Sequence, residues 1–302
     1  MLSIVVLGTA AGGGVPQWNC GCPNCRSARN GHPEMKSTQA SIAVSADREH
    51  WFLINASPDL RQQLTETPAL HPKPGALRHS PIAGVILTNG EVDALAGLLS
   101  LREGTAFNLY GHERVLSILH DNSIFNVLRS DLVPRTALSL DTPFEPRLPN
   151  GSPSGLVVEA FAVPGKIALF LEDEDDDGEG DTVGLVIRDK ADGQRLVFLA
   201  ACAEVTPAIE ARLHRADLVF FDGTLWRDDE MIVAGLSQKT GQRMGHMAME
   251  DTIPALDGLD IGRKVFLHIN NSNPALRGDS AERKIAGDAG WTIPADGTEI
   301  TL

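Results

Sequence analysis

The feature that most limits what this chain can fold into is a series of short apolar runs with almost no polar alternation. Leu218-Val219-Phe220-Phe221 and Val265-Phe266-Leu267 are the clearest. A strand of that composition is covered on both faces, because an exposed face would carry polar residues at every second position. Strand-like segments fall at 3–7, 41–45, 51–54, 84–87, 156–163, 183–187, 196–199, 218–221 and 264–269. Helix-like stretches lie between some of them, at 92–102, 113–120, 207–214 and 280–288. Strands alternating with helices predict an α/β architecture with layered sheets. With 302 residues, 42% of them hydrophobic, the chain can bury a sizeable core, and one domain spanning 1–302 is expected. No internal repeat is evident. Pro- and Gly-rich stretches at 71–75 and 142–155 read as surface loops.

Charge narrows the partners. The formal net charge is −14, but eight of the ten residues from 172 to 181 are acidic, so more than half of the excess sits in one segment. That segment repels itself, buries nothing apolar and lacks the ligand spacing of an EF-hand loop, so a solvated, mobile loop is expected. The rest of the chain has no basic surplus with which to grip phosphates, which argues against nucleic acid. The longest apolar run, 196–203, falls well short of the ~20 residues of a membrane-spanning helix, so no membrane partner is expected. The apolar start carries no basic leader, and a cytoplasmic chain is expected.

Four cysteines in that setting fit metal binding better than disulfides. Cys20, Cys22 and Cys25 follow C-x-C-x-x-C spacing, with Gly21 and Pro23 shaping a tight turn. Three thiolates converging this way favour a structural zinc ion, whose fourth ligand must come from elsewhere in the chain. The competing readings are buried thiols or a redox pair, although a redox Cys-x-x-Cys normally opens a helix after a strand. Cys202 lies in an apolar run and reads as a core residue. The Gly12-Gly13-Gly14 run leads into the cysteine turn and lets backbone approach a site closely.

Several apolar strands end in groups that can do chemistry. The run 84–88 leads to Asn89, Glu91 and Asp93; 218–221 ends at Asp222-Gly223-Thr224; 265–267 ends at His268-Ile269-Asn270-Asn271; and 51–54 ends at Asn55, Ser57 and Asp59. In α/β sheets, ligands collect where strands give way to loops. His246, after Gly245, is a further candidate. Each has an ordinary alternative: Asp222 could cap a turn, Glu91 and Asp93 could be carboxylates at a helix start, and His246 could be structural.

The segments Val6-Leu7-Gly8-Thr9-Ala10-Ala11-Gly12-Gly13-Gly14-Val15-Pro16-Gln17-Trp18-Asn19-Cys20, Asn55-Ala56-Ser57-Pro58-Asp59-Leu60-Arg61 and Gly97-Leu98-Leu99-Ser100-Leu101-Arg102-Glu103-Gly104 resemble the PqqB family. So do Asp222-Gly223-Thr224-Leu225-Trp226, Gly245-His246 and His268-Ile269-Asn270-Asn271-Ser272-Asn273-Pro274. This family of pyrroloquinoline quinone (PQQ) biosynthesis proteins lies within the metallo-β-lactamase-fold superfamily, and the similarity spans nearly the whole chain. It implies a metallo-β-lactamase-like αβ/βα four-layer sandwich with the site at one edge. It also implies iron-dependent, oxygen-using hydroxylation of the tyrosine ring in a cross-linked Glu-Tyr product.

On that resemblance Asp93, Asp222, His246 and His268 are the catalytic candidates. With Glu91 nearby they are also the candidate ligands of a second, weakly held metal, taken to be Fe²⁺ beside the structural Zn²⁺. Arg61 and Arg102 are the candidates for gripping substrate carboxylates. Hydrolytic relatives place H-x-H-x-D-H where this chain has Asn89, Glu91, Asp93 and Ala94; many PqqB-like sequences keep the last of those histidines. A further hydrolytic histidine would fall near 163–166, and a metal-bridging aspartate near Ala200 or Ala201. A dinuclear hydrolytic centre is therefore not expected. The fourth zinc ligand would fall near Asn271, with His268 as the alternative. The implied partner is a small-molecule or dipeptide-derived substrate, and a homodimer is compatible. Two rival functions stand beside this one: a metal-dependent hydrolase of a phosphodiester or lactam, and a non-catalytic carrier of the quinone or a precursor, a reading that Ala94 encourages.

Overall fold

The computed structural model describes residues 1–166, 168–171 and 178–302. Its strands are β1 (Ser3–Gly8), β2 (Ser41–Ser45), β3 (Trp51–Ile54), β4 (Ile82–Ile86), β5 (Asn108–His112), β6 (Arg135–Leu138), β7 (Leu156–Ala162), β8 (Val183–Asp189), β9 (Arg195–Leu199), β10 (Leu218–Asp222), β11 (Arg263–Leu267), β12 (Trp291–Thr292) and β13 (Glu299–Thr301). The helices are α1 (Pro23–Asn30), α2 (Leu60–Glu66), α3 (Val92–Leu95), α4 (Glu113–Asp121), α5 (Pro207–Leu213), α6 (Glu230–Val233), α7 (Met249–Ala255) and α8 (Ala281–Asp288).

Two sheets form, in the orders β13-β1-β2-β3-β4-β5-β6 and β12-β11-β10-β9-β8-β7. Strands β3 to β6 run parallel, as do β9 to β12. The apolar runs are explained by what lies on each side of them. In β10, Leu218 and Phe220 point into the inter-sheet core beside Ile42, Phe52 and Ile86, while Val219 and Phe221 pack outward under α5, α7 and α8. In the other sheet Val85 and Leu87 pack outward with Leu60, Leu98 and Leu119. Two sheets facing each other with helices outside are the four layers of the metallo-β-lactamase fold. Each Phe or Leu so buried contributes about 1.5–3 kcal/mol.

Parallel register decides where the chemistry lands. Asp222 pairs with Leu267, so the last residue of β10 and His268, just past β11, emerge side by side. At the other sheet Ile54 pairs with Ile86, so Asn55 emerges beside the 87–93 segment. Asn55 adopts a left-handed backbone at φ 64, which asparagine tolerates. It joins the strand ends by accepting from the Thr88 N–H at 2.9 Å and donating to the Thr88 hydroxyl at 2.9 Å.

The nine predicted strands all form, within two residues at either end, and four more exist that the pattern did not announce: β5, β6, β12 and β13. The helix expected over 92–102 is one α-turn, α3, followed by 3₁₀ turns over 96–101. Gly97 explains the tightening, since it packs so close to the Ala56 and Ser57 carbonyls that a Cβ there would collide with them. Of the acidic segment, residues 172–177 lie outside the described residues. Its end departs from a solvated loop: Arg114 of α4 grips Asp181 through both carboxylate oxygens, at 2.7 and 3.1 Å, and the Gly178 N–H donates to it at 2.8 Å. Among the described residues no helix is long and apolar enough to cross a membrane.

Candidate functional site

The cysteine cluster does not sit in a bare turn. Cys22 is the N-cap of α1, with Pro23 at the first helical position, so the Cys-x-x-Cys does open a helix. The Cys25 N–H donates to Cys22 Sγ, the Cys22 N–H to Cys20 Sγ and the Gln17 N–H to Cys25 Sγ, each at 3.4 Å. The three sulfurs lie within 4.8 Å of one another. The side-chain amide of Asn271 covers them at 3.0, 3.6 and 3.2 Å from Cys20, Cys22 and Cys25. Asn24 of α1 bonds the Asn271 and Asn273 carbonyls at 3.0 and 2.9 Å, which fixes that amide over the sulfurs.

This donor set fits a tetrahedral cation. Burial pushes the Cys25 thiol up to about 11, against hydrogen bonds from Gln17 and Asn271, and like charges on three sulfurs repel one another. A divalent ion supplies the counter-charge that ionises all three. Asn271 lies over the open face of the three sulfurs with its amide nitrogen toward them, near the place where the resemblance puts the fourth ligand. His268, the alternative, is turned away, its ring nitrogens 2.8 Å from Thr224 Oγ1 and 3.0 Å from Asp93 Oδ2.

A second cluster forms where the two sheets' strand ends meet. Asp93 comes from the first turn of α3, which is pinned to the end of β3 by the Ala56 N–H on the Ala94 carbonyl (2.6 Å) and the Gly97 N–H on the Ala56 carbonyl (2.8 Å). Asp222 closes β10. His268 leaves β11 with a left-handed backbone, φ 61, a costly conformation for this residue that fixes where the ring points. His246 follows Gly245, whose φ of 88 demands glycine. Gly12 does bring backbone close to the site: a Cβ there would sit 3.5 Å from the Asp93 carboxylate.

His246 Nδ1 is 2.7 Å from Asp222 Oδ2, and the two imidazoles stack with centroids 5.2 Å apart. Burial alone would raise Asp93, but its hydrogen bond and charge interaction with His268 hold it below the usual carboxylate value. For His268 burial opposes protonation, yet Asp93, Asp222 and Glu91 together lift it above an ordinary imidazole. One ligand atom each from Asp222, His246 and His268 lies within 4.8 Å of the others.

Asp93, His246 and His268 border a cavity of about 790 Å³; Asp222, fully buried behind them, does not. Glu91 also borders it, with an oxygen 3.6 Å from Lys166 Nζ. Imidazole and carboxylate donors opening on such a space could hold one ion with positions left for a ligand. Gly165, Lys166 and Ala201 line the same cavity, so the places where hydrolytic relatives would carry further ligands face the site without a histidine or an aspartate.

Two expected residues are not brought there. Arg61 lies on the exposed side of α2, and Arg102, more than half exposed, donates to the Leu99 carbonyl at 2.9 Å and faces Glu103. Among the described residues the cations bordering the cavity are Lys166 and Lys239, which sequence reasoning gave no role because both sit in loops without an apolar strand before them. Thr224, named there only as part of a polar strand end and given no role, has a hydroxyl that touches Asp222 and both histidines. Cys202 is core as expected: burial and the Asp222 charge push its thiol to about 12.

A model of the β-lactamase superfamily domain matches residues 50–269. Coenzyme PQQ synthesis protein B of Rhodopseudomonas palustris strain TIE-1 is 63% identical over the full length of both chains. The chain belongs to the coenzyme PQQ synthesis protein B family. A second member, from Gluconacetobacter diazotrophicus, is 54% identical over both full lengths. The Zn²⁺-bound crystal structure of the Methylobacterium extorquens member superposes with a TM-score of 0.93 at 48% identity, covering 99% of this chain and 100% of the other. A diphosphatase of the PhnP family shares the fold alone, with a TM-score of 0.69 at 19% identity over 99% and 96% of the two chains. Within the coenzyme PQQ synthesis protein B family, then, this chain presents one all-sulfur cluster and one mixed imidazole–carboxylate cluster.

Proposed function

We propose that this chain acts in the cytoplasm on a small, dipeptide-derived precursor during PQQ synthesis, hydroxylating its tyrosine ring with Fe²⁺, dioxygen and an external two-electron reductant, one oxygen atom entering the ring and the other leaving as water. The observation that carries the reading is the approach of His268 Nε2 to Asp93 Oδ2, 3.0 Å apart at the wall of a cavity of about 790 Å³. That volume suits a drug-sized or dipeptide-sized molecule. Bound there, ferrous iron supplies the dioxygen chemistry that no side chain possesses.

The chain's own groups do the rest. Asp93 and His268 would hold the ion, and His246, backed by Asp222, presents its other ring nitrogen as a further ligand or as the base that takes a proton from the substrate. Lys166 and Lys239 sit where substrate carboxylates can be gripped as point charges, the role expected earlier of Arg61 and Arg102. Phe170, Leu225, Met231 and Met244 offer the apolar wall on which an aromatic ring can lie. A structural zinc on Cys20, Cys22 and Cys25 would brace α1 against the segment after β11, close to His268.

The test is incorporation of ¹⁸O from ¹⁸O₂ into the cross-linked Glu-Tyr product by protein loaded anaerobically with Fe²⁺ and then supplied with ascorbate as the two-electron reductant. One labelled oxygen on the ring, lost in Asp93→Ala, supports the reading; no incorporation by folded, loaded protein ends it. Ala94 favours carriage as a second reading, since a buried methyl stands where hydrolytic relatives and many PqqB-like sequences carry a histidine. Tight quinone binding without turnover, unchanged by Asp93→Ala, would select it. Hydrolysis has less support, because among the described residues the cavity holds no second set of ligands for a water-activating ion.

A further inference from the structure

Thr224 stands two residues beyond Asp222 and is almost entirely buried. Its backbone is fixed on both sides: the N–H donates to Asp222 Oδ1 at 3.0 Å, and the carbonyl accepts from the Asn270 N–H at 2.9 Å. Its hydroxyl oxygen lies 2.7 Å from Asp222 Oδ1, 2.8 Å from His268 Nδ1 and 3.1 Å from His246 Nδ1. A hydroxyl has one proton and two lone pairs to share among three neighbours. Asp222 Oδ2 meanwhile takes the Cys202 N–H at 3.0 Å and His246 Nδ1 at 2.7 Å. All four hydrogen bonds at this carboxylate run inward, which accounts for its acceptor capacity.

We infer that Thr224 is a positioning residue whose hydroxyl donates to Asp222, accepts the Nδ1–H of His268 and shares that of His246 with Asp222 Oδ2. Both neutral imidazoles are thereby set in the Nδ1–H form, and both Nε2 lone pairs are left for the cavity. Asp222 holds His246 directly and His268 through Thr224, and with its oxygens so occupied it does not itself ligate an ion. For His268 the consequence is direct. Its bare Nε2 faces the Asp93 carboxylate, and two acceptors at that distance need a proton or a cation between them. An outer group that fixes the tautomer and orientation of a metal-binding histidine is a recurrent device of metal sites. The inference holds whatever reaction the cavity runs.

The experiment is two-bond ¹H–¹⁵N spectroscopy of histidine-labelled protein with zinc in the cysteine cluster and no metal in the cavity, recorded at alkaline pH where the rings are neutral, together with Co²⁺ titration of the same sample. In the wild type both His246 and His268 appear as Nδ1–H. In Thr224→Val, His268 loses its acceptor and moves to Nε2–H, while His246 keeps Asp222 and does not move. Co²⁺ affinity in the cavity falls by about 10–100-fold, the usual effect of removing an outer-shell partner, and Thr224→Ser restores both readouts. A wild-type spectrum with Nε2–H on either ring overturns the inference without any variant, which covers the case where valine prevents folding. So does a folded Thr224→Val protein with unchanged tautomers and unchanged Co²⁺ affinity.

Discussion

The cysteine cluster and the cavity cluster are both gatherings of metal-binding side chains near the same end of β11, yet they are built on opposite plans. The three sulfurs of the first come from six consecutive residues at one helix start, with the Asn271 amide over them and Cys25 buried. The second draws Asp93, Asp222, His246 and His268 from four separated segments and opens onto a cavity. A local, all-sulfur, closed cluster suits an ion that stays in place. A dispersed, mixed, open cluster suits an ion that must admit a ligand and can be exchanged. Stability should therefore depend on the first and turnover on the second.

Breaking the closed cluster should have the largest effect on the fold. Cys25→Ser is expected to lose the tightly held zinc and at least about 4 kcal/mol of stability, the contribution of an ion present at a thousandfold its Kd. Denaturant unfolding with zinc analysis checks this; a variant that lost its zinc but unfolded like the wild type would dissolve the contrast. The converse is His268→Ala, which should lower turnover by about 100-fold or more while leaving the zinc content unchanged and costing no more stability than its pairing with Asp93 is worth, about 1.5–3 kcal/mol. A large fall in the midpoint would mean that the open cluster is structural too.

In metal-free protein the Asp93–His268 pair should make stability depend on pH in two opposite senses. His268 titrates higher in the folded chain, so its contribution is full below the ordinary imidazole value and is lost as pH rises through the raised one. Asp93 titrates lower, so its contribution is full above the ordinary carboxylate value and is lost as pH falls through the lowered one. Between those limits Asp93→Asn should cost about 1.5–3 kcal/mol, the worth of a hydrogen bond between charged groups. The cost should shrink at both extremes, and a difference that stays flat from acid to alkaline pH would contradict the pairing.

Smaller effects separate the cavity from the surface. Lys166→Ala and Lys239→Ala should each raise KM about tenfold, equivalent to about 1.4 kcal/mol. Arg61→Ala and Arg102→Ala should stay within about 0.5 kcal/mol of the wild type in both binding and stability. A KM effect confined to the arginines would reverse that assignment.

The same contrast sets what could be read from the sequence. The cysteines were legible because their convergence is written in spacing, and Asp222 and His268 because each ends an apolar strand that could lie nowhere but inside a sheet. Strands β5, β12 and β13 were not, since Asn108, Gly111 and His112 interrupt one run and the other two are only two or three residues long. Lys166, Lys239 and Thr224 reach the cavity through loop paths that no periodicity encodes. The arginines failed as cavity residues because a motif gives a residue's neighbours in the chain but not the direction of its side chain. Asn271 could be placed near the cysteines only by resemblance; its position over the sulfurs depends on the parallel pairing of β10 with β11.

Metal content before and after mild chelation tests the two-plan account most directly. Protein purified without added metal and then dialysed against a chelator should keep about one zinc per chain, bound by Cys20, Cys22 and Cys25, and lose any second ion, which Fe²⁺ or Co²⁺ can then replace at the Asp93 and His268 side. A chain that holds no zinc at all, or one whose only retained ion sits at Asp93 and His268, would contradict it.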